Sequence, residues 1–101
     1  MEKIFVGQLA THCVGSDRYP YEVIEISDDK SHVFLREMRA TATAEFDYYS
    51  HQDYTYSSFT GGVIVELTLR KDGHYRPVGA PIRERPNFVF GYARFYHDPS
   101  F

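Results

Sequence analysis

This chain of 101 residues has one cysteine, Cys13, and no tryptophan. A single thiol excludes an intramolecular disulfide and suits a reducing compartment, so a cytoplasmic location is expected. No apolar run approaches the roughly 20 residues a helix needs to cross a bilayer. Met1 leads directly into Glu2-Lys3-Ile4-Phe5-Val6 without a basic leader, and no membrane partner is expected. Also missing are a Walker loop, a Gly-x-Gly-x-x-Gly turn, a His-Glu-x-x-His pair and a serine-nucleophile motif. His12, His32, His51, His74 and His97 are scattered without the spacing of a zinc site, and one cysteine cannot complete one. The expectation is therefore a non-enzymatic protein with no metal and no cofactor.

What is present is an ordinary globular balance, 43% hydrophobic and 25% charged, with an unusual aromatic share of 17% supplied by nine Tyr and eight Phe. Tyrosine suits half-buried strands, and it suits contact surfaces because it offers large area, little rotamer entropy and one polar handle. The formal charge of -3 is unevenly spread: residues 1 to 64 hold five Lys or Arg against ten acids, and residues 65 to 101 hold six against four. No Lys or Arg lies between Arg39 and Arg70. The length predicts one domain over 1-101 with enough core to fold unaided.

Short apolar and β-branched runs alternate with turn chemistry along the chain. Leu9-Ala10-Thr11-His12-Cys13-Val14 reads as a strand, preceded by Ile4-Phe5-Val6 as part of it or a second short one. Gly15-Ser16-Asp17-Arg18 reads as a turn, and Pro20 suits a strand start or an edge. In Tyr21-Glu22-Val23-Ile24-Glu25-Ile26 the apolar phase shifts between Val23 and Ile24, which predicts a bulge or burial on both faces. Asp28-Asp29-Lys30-Ser31 predicts a hairpin loop and His32 to Arg39 the returning strand. Residues 40 to 60 predict an irregular excursion containing a short strand at Gln52 to Ser57. Val63, Val65, Leu67 and Leu69 alternate with more polar residues, as in a strand with one face on the core. Asp72-Gly73 suits a type I′ turn, and Pro77 marks its short partner strand as an edge. The aromatic run from Phe88 onward predicts a long terminal strand that closes the structure, so that truncation after Tyr92 should unfold it. The fold class is mostly β: a small antiparallel barrel or rolled sheet with an SH3-like opening and about six or seven short strands.

Three segments, Gly7-Gln8-Leu9-Ala10-Thr11-His12, Ser16-Asp17-Arg18 with Tyr21 to Ser27, and Gly91-Tyr92-Ala93-Arg94-Phe95-Tyr96-His97-Asp98-Pro99-Ser100-Phe101, carry a resemblance. Together they resemble small uncharacterised proteins of bacteriophages and bacteria. Those proteins open on an Ala-Thr strand, carry Ser-Asp-Arg before a Val-Ile-Glu-Val-Ser strand, and end in Arg-x-x-Tyr-x-Asp-Pro-x-Phe. Gln52, Tyr54 and Tyr56 resemble a Gln-x-Tyr-x-Tyr segment of the same set, and Leu69 to Gly73 its basic hairpin. The spacing at Gly91 to Arg94 and the acidic Asp28-Asp29 depart from the pattern. The resemblance implies phage origin, with a host protein (a defence component or an enzyme), a small ligand or nucleic acid as the target. Its first half looks SH3-like or KOW-like, an analogy of fold rather than function.

The candidate binding residues are Tyr48, Tyr49, Asp53, Tyr54 and Tyr56, where clustered rings beside acids suit a basic protein surface, and Asp17 with Arg18, where a guanidinium fork can meet phosphate or carboxylate. The same tyrosines can instead pack against their own barrel. Arg70, Lys71, Arg76 and Arg94 are the candidate cations for nucleic acid or phosphate. His97 beside Asp98 is a distant catalytic option, disfavoured because neighbours on a strand face opposite ways. A homo-oligomer is an open alternative, since aromatic edge strands invite pairing.

Overall fold

The computed structural model describes residues 3-44, 46-48 and 52-97. These form eight strands and no helix: β1 (Leu9–Val14), β2 (Asp17–Ile26), β3 (His32–Glu37), β4 (Arg39–Ala42), β5 (Tyr54–Ser57), β6 (Ile64–Leu69), β7 (Tyr75–Pro77) and β8 (Phe88–Phe90). Six of them make one sheet in the order β7-β6-β3-β2-β1-β8, every neighbour antiparallel. β1-β2-β3-β6-β7 follow as a meander into which the two-stranded β4–β5 ribbon is inserted, and β8 returns to pair with β1. The two end strands approach each other: the rings of Tyr75 on β7 and Phe90 on β8 meet edge to face at 6.0 Å. No ladder joins β7 to β8, so the barrel is nearly closed, by side chains rather than by hydrogen bonds.

The core follows from strand periodicity. Ala10, Tyr21, Val23, Val33, Leu35, Leu67, Tyr75 and Phe88 point inward from six strands, and Ile4 seals one end. Ile4-Phe5-Val6 is not a strand; a turn at Gly7 (φ 91°) brings the Gly7 N–H to the Val23 carbonyl at 2.8 Å, so the segment folds over the barrel mouth. The predicted bulge is present, with Ile24 the extra residue between Val23 and Glu25. It re-aims the second half of β2, which is how a ten-residue strand follows a tightly curved sheet.

Three expectations are corrected. The Asp72-Gly73 turn is not type I′, because only Gly73 takes positive φ (87°). Arg70 and His74 pair instead across a three-residue loop, with Gly73 N–H donating to the Arg70 carbonyl, and Asp72 turns its carboxylate to Arg76. Pro20 lies inside β2 rather than at its start or on an edge. Its carbonyl accepts Met38 N–H at 2.9 Å, and its missing N–H falls where β3 ends, so the absent bond marks the point at which the chain leaves the barrel for β4. The terminal strand is short. Gly91 (φ 116°) ends it after Phe90, and the chain then crosses outward to bridge Tyr96 to Arg18.

Candidate functional site

After Gly91 the chain runs between the barrel and the ribbon. Tyr96 N–H donates to the Arg18 carbonyl at 2.9 Å and Arg18 N–H returns a bond to Tyr96 at 2.8 Å, which pins the segment to the start of β2. From the other side, Phe95 N–H donates to the Tyr56 hydroxyl at 2.8 Å, and the Phe95 ring meets Tyr54 (4.9 Å) and Tyr19 (5.8 Å). Gln52 is the third attachment. Its Nε2 donates to the carbonyls of His97 (2.7 Å) and Tyr48 (3.0 Å), and its Oε1 accepts His97 N–H at 3.0 Å. The Tyr48 hydroxyl meets His97 Nδ1 at 2.7 Å, with the rings stacked at 5.9 Å.

Strand alternation explains which residues take part. Tyr54 and Tyr56 stand on one face of β5 with Ala40 and Ala42 opposite them on β4, and Thr41 and Thr55 face away. The tyrosine face turns toward residues 94-97 and is half-buried by them; the threonine face is exposed. Burial raises the Tyr54 hydroxyl above its ordinary pKa, with Tyr56 and Tyr48 adding to the shift. Tyr19 is raised by burial first and by Asp17 second. Both therefore remain protonated and can donate.

The structure thus brings together expected residues from distant stretches: Asp17 and Arg18, then Tyr48, Tyr54 and Tyr56, then Arg94, whereas Asp53 falls on the threonine face of the ribbon. Arg18 donates to the Gly15 and Asp17 carbonyls at 2.9 and 2.8 Å, a local turn role that leaves its backbone to hold Tyr96. Asp53 accepts from the Thr43 hydroxyl at 2.8 Å at the open end of the ribbon. Arg94 is exposed, its guanidinium over the Tyr96 ring at 5.7 Å. Tyr49 and Asp98 lie outside the described residues. The organising role of Gln52 and Phe95 was not legible beforehand, because it depends on a long-range meeting; the Gln-x-Tyr-x-Tyr spacing is its only local signal.

The hairpin cations behave differently. Arg76 is 4% exposed, bidentate to Asp72 at 2.8 and 2.9 Å, and donates to the Glu84 carbonyl at 2.8 Å. Arg70 reaches Thr68 Oγ1, the Pro77 carbonyl and the Ala80 carbonyl. The two arginines hold the connection 78-87 over the outer side of β7, so their donors serve the fold. Arg76 holds Asp72 well below the usual carboxylate range, at about 2. Lys71 stays exposed at the hairpin tip, and Arg83 and Arg85, which sequence reasoning passed over, are exposed on the connection. Among the described residues no group of His, Cys, Asp and Glu is arranged to hold a metal ion, and no helix is long and apolar enough to cross a membrane.

No family model, curated protein or solved structure matches the chain.

Proposed function

We propose that this is a phage-encoded, non-enzymatic binding protein that occupies a host protein in the host cytoplasm, using the surface where the ribbon, residues 94-97 and the start of β2 meet. One observation carries this reading: Arg18, Tyr48 and Tyr56, far apart in sequence, are bonded to the single segment 95-97, with Arg94 beside them. Rings fixed by neighbours lose little entropy on contact, which is what an aromatic anchor requires. Arg94, exposed over the Tyr96 ring, supplies a charge beside those rings, suited to steering a partner. The test is affinity capture from host extract with the wild type and with Tyr48→Ala/Arg94→Ala, a pair whose folding is checked by circular dichroism. The reading expects a defined partner held by the wild type and lost by the folded variant. No stable partner, or equal capture by both, would sink it.

A second reading, nucleic-acid binding, is favoured by one feature. The Asp72–Arg76–Glu84 chain of bonds places the Lys71 hairpin beside the connection carrying Arg83 and Arg85. Affinity for single- or double-stranded DNA or RNA should then fall steeply with salt and fall further in Lys71→Ala/Arg83→Ala/Arg85→Ala. A small ligand remains a third target class under the first reading, and Tyr48→Ala/Arg94→Ala would lose it in the same way.

A further inference from the structure

The edge of β4 is open, without the protection seen at the edges of the barrel. Thr43 N–H donates to the Asp53 carbonyl at 3.0 Å. That fixes the ladder: Thr41–Thr55 and Arg39–Ser57 are the hydrogen-bonded pairs, and Ala40 and Ala42 are the non-bonded ones. The backbone N–H and C=O of Ala40 and Ala42 therefore point away from β5, and the described residues supply neither with a hydrogen-bond partner. The strand is Arg39-Ala40-Thr41-Ala42, continuing as Thr43-Ala44, without proline, bulge or inward charge. The edges of the barrel are blunted: β7 ends in Pro77, whose carbonyl is taken by Arg70 and Ala80 N–H, and β8 lies against β7. A flat edge of small residues is what folded proteins ordinarily avoid unless it is used.

We infer that β4 pairs with β4 of a second copy of this chain, antiparallel about a two-fold axis at Thr41, making a four-stranded sheet β5-β4-β4-β5. A two-fold at Thr41 sets outward-facing groups opposite each other. Ala40 of one copy and Ala42 of the other exchange both backbone bonds, twice by symmetry, and Thr41 faces its own mate as a non-bonded pair. This register also matches charge. Arg39, exposed and stacked over Phe59 at 4.5 Å, falls opposite Thr43 of the second copy, which is bonded to Asp53 at 2.8 Å. Arg39 and that Asp53 then lie in one row on one face, about 10 Å apart between backbones, within reach of an arginine side chain. Registers centred on Ala40 or Ala42 also pair outward-facing backbone groups, but neither sets Arg39 opposite Thr43, so the charge match selects the register centred on Thr41. The tyrosine faces of both copies lie on the same side of the joined sheet, away from the Arg39–Asp53 row. Four backbone bonds and small side chains bury less than a standard interface, so the dimer is weak and depends on concentration.

Sedimentation velocity of the full chain from about 1 μM to about 1 mM should show a monomer–dimer equilibrium. Ala42→Pro removes an outward N–H that the β4–β5 ladder does not use and should weaken association at least ~tenfold. Arg39→Glu should weaken it similarly, and Arg39→Glu/Asp53→Lys should restore it. In a Cys13→Ser background, Thr41→Cys should oxidise to a covalent dimer, because non-bonded antiparallel pairs stand ~4.5 Å apart. Thr55→Cys, one strand away, should stay monomeric. A monomer at every concentration, or a dimer indifferent to both Ala42→Pro and Arg39→Glu, overturns the assignment; so does cross-linking at Thr55 but not Thr41. Binding of an extended foreign peptide at this edge by a chain that never dimerises overturns it in favour of a hetero-partner. None of these variants alters Tyr48 or Arg94, so failure here is separate from failure of the proposed function.

Discussion

At the scale of single residues, Gly62 and His12 are under the tightest constraint. A Cβ on Gly62 would lie 2.1 Å from the Glu37 carbonyl oxygen, which belongs to the backbone and cannot swing aside. That close approach sets β6 beside β3, where Glu37 N–H also donates to the Val63 carbonyl. Gly62→Ala should cost about 2 kcal/mol by overpacking, read from the urea midpoint. His12 is half-buried, stacked on Phe88 at 4.3 Å and bonded to the Asn87 amide at 3.1 Å. Burial lowers its pKa below the ordinary 6.5. Between that lowered value and 6.5 the unfolded chain binds more protons, so this contribution is complete above 6.5 and declines as pH falls beneath it. Urea midpoints between about pH 7.5 and pH 5 should drop for the wild type more than for His12→Gln. Asp72 and Asp29, both held at about 2, act lower: their contribution is complete above the ordinary 3.8 and is lost as pH falls toward 2. Asp29 is held down by Ser31 and Ser27, Asp72 by Arg76.

At the scale of elements, the terminal segment has two roles that its aromatic run concealed. Phe88 to Phe90 complete the barrel, and residues 94-97 bind the ribbon to it. Alternation across Gly91 suggested one long strand, but positive φ at Gly91 breaks the ladder, and no local pattern announces a chain that crosses over. Removing residues 93-101 should therefore leave the six-stranded sheet folded and release the ribbon. Amide exchange would show protection lost in β4 and β5 and kept in β1, β2, β3 and β6. Global unfolding of that truncation would restore the terminal run as a single closing element. The ribbon itself was half legible. Gln52 to Ser57 alternates in period two and forms β5, whereas the Ala and Thr of β4 carry no hydrophobic period and become a strand because Met38 and Pro20 direct the chain out of the sheet. The convergence of Tyr54, Tyr56 and Tyr48 on Phe95 and His97 spans about forty residues of sequence and lies beyond any local window.

At the scale of the whole molecule, a small antiparallel barrel of short strands was readable from turn spacing, and the way it closes was not. Closure depends on how far each strand twists, and the bulge at Ile24 contributes to that twist. The seam between β7 and β8 shows what closes it instead. The Gly91 N–H bond to Leu9 and the Cys13 N–H bond to Asn87 bracket the β1–β8 ladder, so Phe88 and Phe90 turn their own backbone groups toward β7. No ladder meets them there. Tyr75 reaches across with its ring against Phe90, while its hydroxyl donates to the Lys30 carbonyl at 2.7 Å, tying the seam to the β2–β3 hairpin. If ring contact closes the barrel, Tyr75 and Phe90 must be energetically coupled beyond their separate burial. A double-mutant cycle with Tyr75→Leu and Phe90→Leu should give a coupling of about 1 kcal/mol in urea unfolding. Tyr75→Phe, which keeps the ring and loses the hydroxyl bond to Lys30, should preserve that coupling. Additive single effects would mean that the seam is held by the Arg70 and Arg76 clamp on the connecting loop alone, and Arg70→Leu should then loosen β8 more than either ring substitution does.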